Sequence, residues 1–121
     1  LTENEITVEL AQEALKEIIS ANRAKTINAQ SIIEAVARYF DLKPEEFKSK
    51  KRNRDVSFPR QIAMYLCREL TDMSLPKIGD AFGGRDHTTV LHACERIVES
   101  IKNDSETRRA VEELIRNISG R

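Results

Sequence analysis

Apolar residues recur along this chain at helical spacing, not in the alternation of strands. Thr7 can cap a first helix in which Leu10, Ala14, Leu15, Ile18 and Ile19 share a face, and Asn22 to Thr26 break that pattern. A second start follows at Asn28, with Ile27 before it and Ile32 placed after it for a hydrophobic staple. This helix is expected to bury Ile32, Ile33, Val36 and Phe40 and to stop before Pro44. Pro44-Glu45-Glu46-Phe47 reads as one short helical turn with acids at its positive end.

The stretch Lys48-Ser49-Lys50-Lys51-Arg52-Asn53-Arg54 holds no apolar residue. It has no face to bury, so the expectation is an extended basic arm. Ser57 and Pro59 are expected to open the next helix, with Ile62, Ala63, Leu66 and Leu70 inward. Ser74 caps a short helix carrying Leu75, Ile78 and Phe82, which Gly83-Gly84 ends. Asp86 caps a longer helix to about Lys102. Asp104 or Ser105 starts the last one, with Val111, Leu114, Ile115 and Ile118 in a stripe. The pattern contains neither strands nor repeats. It predicts an all-α helical bundle.

Size agrees with one domain: 121 residues, 40% apolar, with only three prolines and four glycines to interrupt helices. No apolar run approaches the roughly 18 residues of a membrane span, and the opening residues Leu1 to Glu5 are too polar for a signal peptide. The chain starts without Met and is expected to be a fragment of something longer. Cys67 and Cys94 sit at apolar positions of helical patterns and are expected to be buried free thiols in a reducing cytosol.

A formal net charge of zero taken alone speaks against a nucleic-acid partner, but the distribution changes that. Residues 1–47 hold five basic and nine acidic side chains, whereas residues 48–96 hold ten basic and six acidic. A locally basic surface can bind phosphates while the whole chain stays neutral.

The unit Ser74-Leu75-Pro76-Lys77-Ile78-Gly79-Asp80-Ala81-Phe82-Gly83-Gly84-Arg85-Asp86-His87-Thr88-Thr89-Val90-Leu91-His92-Ala93-Cys94 is a short helix, a glycine turn and a longer helix. That is the layout of a helix-turn-helix, here spanning 74–102, whose second helix enters the major groove N-terminus first. At about 100° per residue, Val90, Cys94, Ile97, Val98 and Ile101 face inward, while Thr88, Thr89, His92 and Arg96 face out. Asp86 and His87 project from the exposed first turn. Together they offer donors, acceptors and a methyl group, the set needed to read base edges. The basic arm complements this helix, because an arginine-bearing arm can enter the adjacent minor groove.

Gly83-Gly84-Arg85-Asp86-His87-Thr88-Thr89-Val90-Leu91-His92-Ala93-Cys94, with Pro59-Arg60-Gln61-Ile62-Ala63-Met64-Tyr65-Leu66 before it, resembles the C-terminal DNA-binding part of the bacterial replication initiators of the DnaA family. The resemblance covers residues 27–121 as the DNA-binding domain, of Trp-repressor-like type. Residues 1–26 resemble the last helix of the lid of a preceding AAA+ module.

It implies minor-groove reading by Arg52 and major-groove base contacts by Asp86, His87 and Thr88, with Thr89 beside them. It implies phosphate contacts by Arg54, Arg60, Gln61, Arg68, Leu75, Pro76 and His92, with Lys50 and Arg85 helping. The implied partner is double-stranded DNA carrying the asymmetric DnaA box TTATNCACA at a replication origin, in a cytoplasmic, nucleoid-associated protein. Arg68 stands where some members carry Lys, which preserves the charge.

Other chemistry is poorly supported by the residues. His87, His92 and Cys94 point in different directions and lack a fourth ligand, so no metal site is expected. Asp86 beside His87 has no nucleophile or pocket, and capping accounts for the carboxylate. No Gly-x-x-x-x-Gly-Lys-Ser/Thr loop is present, so neither catalysis nor a cofactor is expected of this chain. The family's ATP and Mg belong to its AAA+ module, which would also be a partner of this domain in the longer protein. The helix over 28–41 resembles the connector implicated in acidic-phospholipid contact, although Arg38 and Lys43 are its only nearby cations. No homo-oligomer is expected. Two alternatives remain: a helix-turn-helix transcriptional regulator, which would usually dimerise on a palindrome, and a helical interaction module whose arm binds an acidic protein.

Overall fold

The computed structural model describes residues 27–50 and 53–120. The helix expected from Thr7, the boundary at residue 26 and Arg52 of the arm lie outside the described residues. Among the described residues five α-helices follow one another: α1 (Ala29–Tyr39), α2 (Arg54–Leu70), α3 (Leu75–Ala81), α4 (His87–Asn103) and α5 (Ser105–Ser119). A 3₁₀ turn, Pro44–Lys48, stands between α1 and α2. The described residues contain no strand, and the fold is the all-α bundle that the hydrophobic spacing predicts.

Local signals set most boundaries. The Asn28 side chain accepts from the Ser31 N–H at 2.8 Å while Ser31 Oγ accepts from the Asn28 N–H at 2.9 Å, so two otherwise unpaired helix-start donors are satisfied reciprocally. Ser74 Oγ accepts from the Lys77 N–H at the start of α3. Gly120, in the left-handed region, ends α5.

Four expectations are corrected. Helix α2 begins at Arg54, ahead of Ser57, and Pro59 lies inside it. Pro59, the sixth residue of the helix, has no N–H to donate back to the Asp55 carbonyl. Of the stretch expected as an arm, Lys48 belongs to the 3₁₀ turn and Arg54 to α2. Val98 is 41% exposed. At about 100° per residue it sits about 80° from Val90, on the edge of the α4 stripe, and the buried face runs through Ala93 instead. Phe40 is only half-buried and caps α1, whose fourth inward residue is Ala37.

Helices α2 and α4 share the broadest interface; α1 packs on α2, α3 on α4, and α5 closes against α4 and α1. Ile62 and Leu66 from α2 meet Val90, Cys94 and Ile97 from α4, with Ile78, Phe82, Ile32, Ile33, Val36 and Phe47 completing the centre. Each fully buried Ile, Leu or Phe contributes about 1.5–3 kcal/mol relative to exposure. Phe82 and Phe47 are both 0% exposed. They pin the helix-turn-helix turn and the base of the arm, respectively, to this core.

Candidate nucleic-acid interface

The turn between α3 and α4 is built around one carbonyl. The Gly79 carbonyl accepts from the N–H groups of Phe82 at 3.2 Å, Gly84 at 3.0 Å and Arg85 at 2.8 Å. That convergence reverses the chain within a few residues and aims the start of α4 away from the core. The residues it delivers, Asp86, His87, Thr88 and Thr89, are all exposed.

Asp86 is the N-cap residue of α4, but its side chain makes no capping hydrogen bond, which corrects the sequence expectation. Its Oδ1 lies instead 3.1 Å from His87 Nδ1, with both side chains well exposed. At that distance the carboxylate can accept from Nδ1 when that nitrogen carries the proton. The first N–H groups of α4 therefore lack a side-chain acceptor at Asp86. An exposed helix start in that state offers donors and the positive end of the helix dipole to an anion.

Beside this helix start runs a groove between α2 and α4. One hollow of about 200 Å³ is lined by Arg60, Gln61, Met64, Arg85, Thr89, His92, Ala93 and Arg96. A second, of about 460 Å³, is lined by Arg54, Ser57, Phe58, Gln61, Arg96 and Ser100. They share Gln61 and Arg96, and no Asp or Glu lines either one. Four guanidiniums thus face a groove without a lining carboxylate, an arrangement that attracts an anionic polymer. The Arg54 guanidinium rests 5.6 Å from the centre of the Phe58 ring, which holds that cation at the groove wall.

Arg60 differs from the others in being only 7% exposed. Burial pushes its pKa below the ordinary arginine value, and the neighbouring charge of Arg85 adds to the shift. Its Nη1 donates to the Ser49 carbonyl at 3.4 Å. Arg85 is half-buried, with its pKa also lowered by burial. It donates through Nη1 to the Phe82 carbonyl and through Nη2 to the Ser49 carbonyl.

The groove therefore gathers Arg54, Arg60, Gln61, Arg85, Thr89 and His92 from the positions singled out in the sequence. Lys50 and Arg68 are exposed outside it, with Arg68 in the last turn of α2. Half-buried Leu75 and exposed Pro76 open α3 and do not line the groove either. Arg52 lies outside the described residues. Arg96 lines both hollows but received no role from the sequence. The signal was available: it stands one turn beyond His92 and two beyond Thr89, on the same helical face. Among the described residues no group of three or more His, Cys, Asp and Glu side chains could hold a metal ion, and no helix is long and apolar enough to cross a membrane.

A glycine-turned helix pair that exposes the start of its second helix beside an arginine groove defines a DNA-binding helix-turn-helix domain. Residues 29–97 match the family described as bacterial dnaA protein helix-turn-helix, more than half of the chain, and the chain belongs to that family. Among solved structures it is similar to one described as the crystal structure of a DNA replication initiation factor, at 33% identity and a TM-score of 0.71. That similarity covers 97% of this chain and 37% of the other, so the chain spans well under half of that protein's length.

Proposed function

We propose that this domain binds the asymmetric DnaA box, TTATNCACA, in duplex DNA and so brings a longer initiator protein to the replication origin. The observation that carries this reading is the pairing of the exposed α4 start with the carboxylate-free groove beside it. His87, Thr88 and Thr89 meet base edges in the major groove, with Asp86 orienting His87. Arg54, Gln61, Arg96 and His92 meet the phosphates alongside, and Arg68, Leu75, Pro76 and Lys50 meet those at the flanks. Arg52 reads the minor groove. Nucleotide chemistry belongs to other parts of the longer protein, which acts in the cytoplasm at the nucleoid.

Phosphates are alike along any sequence while base edges are not, so readers and anchors separate experimentally. Binding to box and scrambled duplexes is titrated at several salt concentrations. His87→Ala and Thr88→Ala should each lose about 1–3 kcal/mol on the box and little on scrambled DNA. Arg54→Ala and Arg68→Ala should weaken both duplexes alike and lower the log–log salt slope by about 0.9 each. Wild-type protein that binds both duplexes equally, or prefers a palindrome, overturns the reading.

A further inference from the structure

We infer that Arg85 is a positioning residue that locks Ser49, at the foot of the basic arm, to the helix-turn-helix turn, and so fixes where the arm starts relative to the recognition helix. This rests on the reading above, in which the arm and α4 enter neighbouring grooves.

Three independent contacts define the lock. The Arg85 guanidinium spans two carbonyls that are far apart in sequence, Phe82 at the end of α3 and Ser49 at the foot of the arm. Arg60 reaches the same Ser49 carbonyl from α2. Behind them the glycine turn touches the last residue of the 3₁₀ turn, just before the arm: a Cβ added at Gly83 would stand 2.4 Å from the Lys48 carbonyl oxygen, and Gly83 itself has φ +87°. Ser49 is set from the other side as well, because its N–H and Oγ both donate to the Glu46 carbonyl, at 3.2 and 2.7 Å. Phe47, fully buried, anchors that 3₁₀ turn in the core.

The chemistry of this joint requires arginine. A planar guanidinium presents donors in a fixed fork and can hold two carbonyls at a set separation, whereas an ammonium is a point charge on a flexible stem. Ser49 stands three residues before Arg52 in sequence, a span of at most about 10 Å of chain. Fixing Ser49 therefore fixes the starting point of the minor-groove contact relative to α4. With a free arm, ordering it would cost conformational entropy on every binding event, about 1–2 kcal/mol for each residue fixed. A joint formed in the folded protein removes part of that cost and sets the spacing between the two contacts.

A plain phosphate anchor at Arg85 would behave differently, because lysine satisfies a phosphate. The test compares wild type, Arg85→Lys and Gly83→Ala, each checked for native helical content by circular dichroism. The first readout is discrimination against single base-pair changes at the A·T-rich end and at the CACA end of the box. The second is the rate of tryptic cleavage in the arm of free protein. Arg85→Lys should keep its salt slope and its CACA discrimination, lose about tenfold of its A·T-end discrimination, and be cut in the arm several-fold faster. Gly83→Ala should give the same signature by pushing Lys48 away. Wild-type behaviour of Arg85→Lys in both readouts, or equal weakening on box and scrambled DNA with a shallower salt slope, overturns the lock. Failure of wild type to prefer the box would overturn the functional reading alone, and the cleavage comparison would still decide on the lock.

Discussion

A Cβ built on Gly79 would stand 2.0 Å from the carbonyl oxygen of Arg85. The two halves of the helix-turn-helix therefore approach each other through bare backbone. Gly79 lies within α3, where alanine would ordinarily gain about 1 kcal/mol of helix propensity. Here the obstacle is main chain and not the end of a flexible side chain, so the clash outweighs the propensity.

Gly79→Ala should destabilise the domain by about 2–3 kcal/mol in urea denaturation. Its DNA affinity should also fall, because separating Arg85 from α3 moves the start of α4. A variant as stable as wild type would mean that the turn can open without loss, contrary to the packing described.

The thiol of Cys67 is fully buried, and burial pushes its pKa up from 9.0 to about 12, with Cys94 adding to the shift. Cys94 is also raised by burial, although Arg68 pulls it the other way. A thiol whose folded pKa is raised stabilises the fold fully below its unfolded value, and that contribution is lost as pH rises from about 9 through about 12. Unfolding free energy should therefore decline above pH 9, and less steeply in Cys67→Ala, which removes the titrating group. At pH 8 the native Cys67 should resist a thiol reagent until denaturant is added. Rapid labelling of the folded protein would contradict the burial.

Asp104 titrates in the opposite sense. It caps α5, accepting from the Glu106 N–H at 3.1 Å and the Thr107 hydroxyl at 2.8 Å, and these bonds hold its carboxyl below the ordinary value of 3.8. A depressed carboxyl contributes stability above its unfolded value and loses it as pH falls through the folded one. Thermal melts should show wild type losing its advantage over Asp104→Asn as pH drops below about 4. A difference between the two that does not change over that range would show that the cap does not depend on charge.

Among the described residues, the order of the helices and most of their inward faces were legible in the chain because each rests on local periodicity and capping chemistry. Asn28, Ser74 and Gly120 act within one turn of their own position. The start of α2 was misread because Pro59 is a strong local signal for a first turn, and helical bonding upstream of it depends on packing that no window reveals. Val98 was misread for a related reason: a position at the edge of a stripe is buried or exposed according to the neighbouring helix.

By itself the sequence determined an all-α chain, a helix-turn-helix unit and the row of polar side chains at the start of its second helix, since all of these are set by residues a few positions apart. Tertiary structure alone decided what the arginines do. Arg54, Arg60, Arg85 and Arg96 look alike as cations in a row, yet one stacks on Phe58, one is buried, one joins Phe82 to Ser49 and one lines both hollows of the groove. It likewise decided that the Asp86 side chain lies against His87 and makes no capping hydrogen bond to α4. The physical reason is range: a charge or a hydroxyl is written in the chain, but its partner is chosen by whichever distant carbonyl, ring or groove the packed helices bring within a few ångströms.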